Sequence, residues 1–400
     1  MNTTPVGRKR AKPFLIINSH PVQYFAPLYR QMAADSSIDM KVLYCSRHGL
    51  DGELDQQFGT SVQWDIPLLT GYSHEFISNQ SPAPSIYTFW GLLNFSVIGH
   101  LWRAPKSVVI IHGWAYAVCW LTLVFARLFG HTVCLRGESP LRLEQTKSKA
   151  SRRVRRLILG HGLFKLVHYF AYIGQQNYQF YRYMGVQDSQ LLFCPYSVDN
   201  DRFQQQAAIL CPQRTSLRQR LQLPENAFVV LSSGKYTAKK RPLDILKAIA
   251  ELKQPNLAAV LVGDGSLRPE LNDFIARNDL RHISLTGFIN QSAISEYYAA
   301  ADAYVMCSTE EETWGLSTNE AMNFGLPIVL YDTVGCTDDL LADGENGFKV
   351  AFANTAGLAA AFQTLASMSL GQRRQMGRAS LDRVSGYSYA NVIESLKAIA

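Results

Sequence analysis

The seven cysteines of this chain form no C-x-x-C pair, so the sequence indicates neither a zinc site nor a dithiol redox motif. Cys45, Cys119, Cys134, Cys194, Cys211, Cys307 and Cys336 are odd in number, scattered and mostly set in apolar runs, which fits a reducing cytoplasm. No internal repeat or low-complexity tract stands out. Met1–Lys12 is polar and basic and lacks the apolar core of a signal peptide. Charge is sparse at 18%, but with 47% hydrophobic residues the balance is that of a folded globular protein. Long hydrophobic runs are scarce too. One stretch, Ser107–Phe129, is about long enough to cross a bilayer. His112-Gly113 interrupts it after a β-branched run, and Ala115–Leu128 then reads as a separate helix, so strand, turn and helix are expected there.

Four hundred residues suggest two or three domains. The net charge of +7 hides an asymmetry. Residues 1–195 carry 20 Lys and Arg against 10 Asp and Glu, a balance of +10, whereas the remainder carries 19 against 22, or −3. The basic half is a candidate for an anionic partner such as a membrane surface or a phosphorylated acceptor. Nucleic acid is disfavoured, because the basic segment lacks interleaved aromatic stacking positions. Short apolar runs at Phe14–Asn18, Met40–Tyr44, Val108–Ile111, Thr132–Leu135, Leu166–Ile173 and Leu191–Cys194 read as strands of a first sheet. Phe228–Ser232, Ala259–Val262, His282–Thr286, Ala303–Cys307 and Ile328–Tyr331 read as a second sheet. Strands alternating with helices predict an α/β fold with two parallel, doubly wound, Rossmann-like domains facing across a cleft. His48–Asn79 reads as a long irregular connection. The predicted domains are 1–195 and 196–385, with 386–400 a helix packing back on the first.

The densest chemistry lies in Glu310–Pro327, E-E-E-T-W-G-L-S-T-N-E-A-M-N-F-G-L-P. An apolar strand precedes it, and Gly325 and Pro327 stop the helix within it. Glu312 therefore sits in the loop at the strand's C-terminal end and Glu320 on the following helix, at the edge where open α/β sheets bind ligands. The backbone near Gly315, Leu316 and Ser317 is a candidate for phosphate oxygens. Carboxylates repel phosphate but accept hydrogen bonds from a ribose diol or a hexose. A nucleotide sugar carries both kinds of group.

This segment resembles the E-x7-E signature of the retaining glycosyltransferases of family 4, which have the GT-B architecture. Val229-Val-Leu-Ser-Ser-Gly234-Lys235 with Lys240-Arg241-Pro242 resembles the family's strand–G-[RK]…K-[GR]-P element. Leu261-Val-Gly263-Asp264-Gly265, Leu285-Thr-Gly287-Phe288, Gly335…Gly347-Phe348 and Pro195-Tyr-Ser-Val198-Asp199…Arg202-Phe203 resemble further family elements in the right order. The resemblance implies that Lys235 and Lys240, after Gly234, neutralise the diphosphate leaving group. It implies that Glu312 holds the donor sugar's hydroxyls and Glu320 the ribose, and that the loop after Gly287 lies near the base. It also implies retention of configuration, by a covalent intermediate or by front-face attack. No D-x-D motif sits at a strand end, so with the lysines present neither a divalent ion nor another cofactor is expected.

The first domain places His20, Gln23 and Tyr24 in its first strand–helix loop, His112-Gly113-Trp114 at another strand end and Arg136-Gly137-Glu138-Ser139 at a third. Much of the family has a donor-positioning histidine at the third position. That histidine is absent here, and Glu138 or Arg136 is expected to take over part of its task, with His112 a further catalytic candidate and His20 and Arg136 candidates on the acceptor side. Lys147–Lys165 mixes cations with Val154, Leu157 and Ile158, as expected of an amphipathic helix on an anionic inner-membrane surface or of a solvated basic face. The expected function is transfer of a sugar, from a UDP- or GDP-linked donor, to a hydroxyl of a glycan or lipid-linked acceptor in surface polysaccharide or glycolipid synthesis. The enzyme would be cytoplasmic and peripheral at the membrane. The rival readings are a nucleotide-sugar epimerase or phosphorylase on the same fold, and a catalytically silent membrane-associated scaffold.

Overall fold

The computed structural model describes residues 11–50, 54–55, 60–61 and 63–400, so Met1–Arg10 of the basic N-terminus lies outside the described residues. Seven parallel strands build the first sheet: β1 Phe14–Asn18, β2 Met40–Tyr44, β3 His74–Phe76, β4 Val108–His112, β5 Thr132–Arg136, β6 Tyr169–Tyr172 and β7 Leu191–Phe193. Their spatial order is β3-β2-β1-β4-β5-β6-β7. Six more build the second: β8 Phe228–Ser233, β9 Leu257–Val262, β10 Ile283–Leu285, β11 Ala303–Met306, β12 Ile328–Tyr331 and β13 Gly347–Val350, in the order β10-β9-β8-β11-β12-β13. Both sheets thus reverse direction once, between β1 and β4 and between β8 and β11. Loops leaving the strands on either side of such a reversal diverge to opposite faces and leave a crevice at the C-terminal edge.

The central strands are apolar throughout because both faces are covered. Leu15 and Ile17 of β1 enter one core with Val109, Ile111, Val133 and Leu135, while Phe14 and Ile16 enter the other with Val42, Val108 and Ile110. The second domain has one continuous core that includes Leu231, Val260, Val305 and Val329.

Two strands of these two sheets are not apparent in the sequence, and both are edges; the short antiparallel pair Leu54–Asp55 and Thr60–Ser61 is a further departure from the expected irregular connection. β3, inside the expected irregular connection, is half-buried, and β13 has buried ends at Gly347 and Val350 with half-buried Phe348 and exposed Lys349 between them. Edge strands need no long apolar run. Gly347 is required there because a Cβ would lie 1.8 Å from the Ile328 carbonyl oxygen.

The basic segment is not one amphipathic helix. It breaks into a helix at Lys149–Arg155, a π turn at Arg156–Gly160 and a 3-10 turn at Leu163–Leu166. A Cβ on Gly160 would lie 2.3 Å from the Met184 carbonyl oxygen, so the glycine lets the backbone dock where a helix would have continued. Ser107–Phe129 resolves into β4 and the helix Ala117–Leu128. Among the described residues, no helix is long and apolar enough to cross a membrane.

Three seams join the domains. The helix Tyr389–Lys397 buries Tyr389, Val392 and Leu396 in the first domain's core, and Lys397 pairs with Asp35 at 3.1 Å. Asp339 accepts from the Gln175 N–H at 3.0 Å, capping the first-domain helix Gln175–Tyr183, while Arg142 reaches Asp338 at 2.7 Å. The third is a clasp in which Asn290 donates to the Gln63 carbonyl at 2.7 Å and Asp65 accepts from the N–H and hydroxyl of Ser292. Leu396→Ala should lower stability by about 2 kcal/mol, as expected for a truncated buried leucine. Denaturant unfolding measures this, and an unchanged midpoint would mean the helix contributes no packing.

A candidate nucleotide-sugar cleft between the domains

Both sheets present their reversal points to one cleft of about 330 Å³. From the second domain it is lined by Gly234, Lys235, Lys239 and Lys240 after β8, and by Glu312–Ser317 and Glu320 after β11. The first domain contributes Gln23 and Tyr24 after β1, Glu138 after β5, and Tyr196 from the connection.

Glycines shape the floor. Gly263 adopts φ +138°, and a Cβ on it would lie 2.0 Å from the Gly234 carbonyl oxygen. Its N–H donates to the Gly287 carbonyl at 3.0 Å, so the ends of β8, β9 and β10 close up backbone to backbone. Gly287 itself does not line the cleft, but it aims Phe288 and Ile289 into it. Gly315, at φ +100°, admits no side chain because Met306 Sδ would lie 2.7 Å from a Cβ. The buried Trp314 holds this loop by donating from Nε1 to Asn319 at 2.9 Å, and Asn319 in turn donates to the Tyr196 carbonyl at 3.0 Å.

Two carboxylates sit here in opposite electrostatic states. Burial alone would raise the Glu312 carboxyl, but its ion pairs with Lys240 and with Lys239 (3.6 Å) outweigh that and hold it below the usual range. It is therefore a carboxylate already matched to the cation beside it. Glu320 is 2% exposed, and burial raises its carboxyl despite hydrogen bonds from Tyr298 at 2.7 Å and Gln291 at 3.4 Å, with Tyr24 adjoining across the cleft. Glu138 is likewise raised by burial, and the nearby Glu312 charge adds to this, against Arg136 and the hydrogen bonds of Tyr196 and Thr313. Ser317 ties the strands together, its hydroxyl lying 2.6 Å from Tyr304 Oη and 3.2 Å from the Ser233 carbonyl.

Three residues singled out from the sequence lie off the cleft wall. His112 is 3.1 Å from Tyr29 Oη and packed edge-on to Phe25, where burial and Arg136 hold it neutral at about 3. Arg136 is buried with its guanidinium 5.5 Å from both the Phe25 and Tyr196 rings. His20 contacts Ser19 and His48, and burial lowers it to about 4. Conversely, Trp64 and Gln291 line the cleft and Tyr298 donates to Glu320, although the sequence carries no signal for any of the three. Trp64 meets Phe288 at 5.7 Å and Gln291 lines the wall, but neither belongs to a motif whose spacing would have marked it. Among the described residues, no group of three or more His, Cys, Asp or Glu is placed to hold a metal ion.

Residues 213–383 match the family model described as glycosyl transferases group 1. The α-monoglucosyldiacylglycerol synthase of Acholeplasma laidlawii is 31% identical over 139 residues, 34% of either chain. The D-inositol 3-phosphate glycosyltransferase of Streptomyces avermitilis is 33% identical over 149 residues, 34% of this chain and 32% of that one. The chain thus spans about a third of the length of these curated relatives. Solved structures match nearly end to end. Anabaena HepE in complex with UDP and glucose superposes with a TM-score of 0.71 at 16% identity, covering 97% of this chain and 98% of that one. WaaG, a glycosyltransferase involved in lipopolysaccharide biosynthesis, superposes with a TM-score of 0.67 at 16% identity, covering 96% and 99%. The fold is GT-B.

The raised Glu320 carboxyl has a consequence for stability. A buried acid whose folded pKa lies above its unfolded one contributes stability that is full below the unfolded value and is lost as pH rises through the folded value. Glu320→Gln removes that loss, so the variant's stability relative to the parent should rise as pH increases above the ordinary glutamate range. Urea unfolding as a function of pH tests this, and a constant difference contradicts it.

Proposed function

We propose, from the premise that residues 213–383 belong to the glycosyl transferases of group 1, that this chain moves a sugar from a nucleotide-linked donor to a hydroxyl acceptor with retention of configuration. The observation that carries the reading is the convergence of Lys235, Lys240, Glu312 and Glu320 on one cleft at the reversal point of the second sheet. Its two chemistries match the two chemistries of such a donor.

In this reading the pyrophosphate lies against Lys235 and Lys240. The leaving phosphate gains negative charge as the glycosidic bond breaks, and fixed ammonium groups in a partly desolvated cleft stabilise that charge most in the transition state. Lys240 exchanges its contact with Glu312 for one with a phosphate oxygen, so the cleft does not start with a bare cation. Glu312, kept ionised by Lys239 and the nearby phosphate-bound Lys240, accepts hydrogen bonds from donor-sugar hydroxyls. Glu320 accepts from the ribose diol, with Tyr298 fixing its orientation, and the Phe288–Ile289 loop meets the base. Glu138 approaches from the opposite domain to position the sugar or the incoming hydroxyl. Because the lysines supply the positive charge, transfer proceeds without a divalent ion, and activity in EDTA should equal activity in magnesium.

UDP-linked donors are the first to try, since the HepE structure holds UDP and glucose. A lipid or polysaccharide acceptor is supported by the names of the α-monoglucosyldiacylglycerol synthase and of WaaG, and a phosphorylated cyclitol by that of the D-inositol 3-phosphate glycosyltransferase. Free thiols at all seven cysteines fit a cytoplasmic site of action.

Lys240→Ala should weaken UDP binding by about 10- to 100-fold, the equivalent of one charge-assisted hydrogen bond, while the protein stays folded. Calorimetry with UDP and with a panel of nucleotide sugars measures it. Equal affinities in the parent and the variant would overturn the assignment of the cleft, and nucleotide release without an acceptor-linked sugar would overturn the transferase reading.

A further inference from the structure

Twelve large hydrophobic side chains are exposed among the described residues, and nine of them lie between Tyr87 and Ile158. Scattered exposure is ordinary in a soluble protein, but concentration in one region is not. The helix Ala117–Leu128 accounts for the centre of the patch. Its inner face fills the core with Val118, Thr122, Leu123 and Ala126, yet its outer face is also apolar: Trp120, Leu121, Val124, Phe125 and Leu128, with Arg127 the lone charge. A surface helix that faced only water would carry polar residues there.

Aromatic contacts extend the patch from both ends of this helix. Near its start Trp120 meets Phe89 at 5.8 Å, and Phe89 meets the exposed Trp90 at 4.9 Å. Near its end Phe125 meets Phe129 at 5.7 Å, and Phe129 meets Trp102 at 5.1 Å, with Trp102 72% exposed. The turn Leu163–Leu166 packs against the same helix and brings with it the broken basic segment, whose Val154, Leu157 and Ile158 are all about half exposed or more.

Charge on this region is of one sign. Residues 87–165 hold twelve Lys and Arg against two Glu. Of the twelve, Arg136 is buried, Arg142 is paired with Asp338 and Arg155 with the buried Glu144; the other nine, Arg152, Arg153 and Arg156 among them, have no carboxylate partner among the described residues. Exposed tryptophans, aliphatic side chains and uncompensated cations are the chemistry that the boundary between lipid headgroups and acyl chains accepts.

We propose that this face, centred on the outer side of the helix Ala117–Leu128 and flanked by Arg152, Arg153 and Arg156, seats the protein on an anionic lipid bilayer, its apolar side chains entering the outer part of one leaflet. The docking is monotopic and independent of the donor reading. The helix begins just after β4, at the same sheet edge as the cleft, so a seated molecule keeps that edge beside the bilayer.

The test is co-sedimentation of the full chain with vesicles of phosphatidylcholine alone and of phosphatidylcholine mixed with phosphatidylglycerol. Tryptophan emission is recorded in parallel. The expected result is binding to the anionic vesicles with a blue shift, weakened at least about tenfold by high salt or on neutral vesicles. Val124→Glu/Leu128→Glu should abolish the binding and Arg152→Glu/Arg153→Glu should remove its salt-sensitive part. All four positions are exposed or half-buried, and unchanged circular dichroism and melting will show that the variants stay folded. The proposal is overturned if the parent ignores anionic vesicles at low salt, or if it binds them equally well as Val124→Glu/Leu128→Glu. It is equally overturned if the parent is a dimer in solution that this double substitution dissociates and no vesicle binding is seen, for the patch would then be a contact between copies.

Discussion

The site depends on one constraint of strand order. β8 pairs with β9 on one side and β11 on the other, so the chain that leaves β8 and the chain that leaves β11 turn to opposite faces of the sheet. The gap they leave is where Lys240 and Glu312 meet. Neither residue could reach the other along the sequence, since more than seventy positions separate them, but adjacent parallel strands bring their C-terminal ends together. The first domain repeats the same order, and its own gap supplies Tyr24 to the opposite wall. Two copies of one topological rule, set face to face, make a cleft whose two walls come from separate sheets.

Electrostatics then sort the groups that topology gathers. Carboxylates 312 and 320 are both nearly buried, yet their surroundings push them apart. Lys240 and Lys239 keep the first ionised, while the second has hydroxyl and amide donors around it and is raised by desolvation. A cation paired with an acid in the cleft avoids the cost of an isolated buried charge, and an arriving anion finds that cation already in place. The seam at Asp338 and Asp339 and the clasp at Asp65 hold the two walls in register by guanidinium, backbone N–H and hydroxyl donors, beside the apolar seam of the helix Tyr389–Lys397. Interfaces of that kind are compatible with relative motion of domains.

Much of this was legible in the sequence because the central strands are continuous apolar runs bounded by glycine or polar turns, as β8, β11 and β12 illustrate. The E-x7-E frame could be placed on a loop and helix because Gly325 and Pro327 mark the helix stop. The edge strands β3 and β13 were not legible, since a half-exposed strand of three or four residues has no hydrophobic signature. Helical continuity through Lys147–Lys165 was misjudged because only the tertiary approach of Met184 explains why Gly160 interrupts it. The packing of His112 beneath Phe25 and Tyr29, and the meeting of Tyr24 with Glu320, join residues 83 to nearly 300 positions apart, which no local pattern encodes. The charge imbalance of the first half is a property of composition, whereas the apolar outer face of the helix Ala117–Leu128 depends on which side the sheet covers, and a helix apolar all round does not encode that.

The central claim is that the lysines after β8 and the carboxylates after β11 grip the two halves of a nucleotide sugar. A crystal structure with bound UDP tests it most directly. The account predicts phosphate oxygens within hydrogen-bonding distance of Lys235 and Lys240, Lys240 drawn off Glu312, and the ribose hydroxyls on Glu320. A nucleotide bound elsewhere, or lying in the cleft with its ribose and phosphates away from these four side chains, would contradict it.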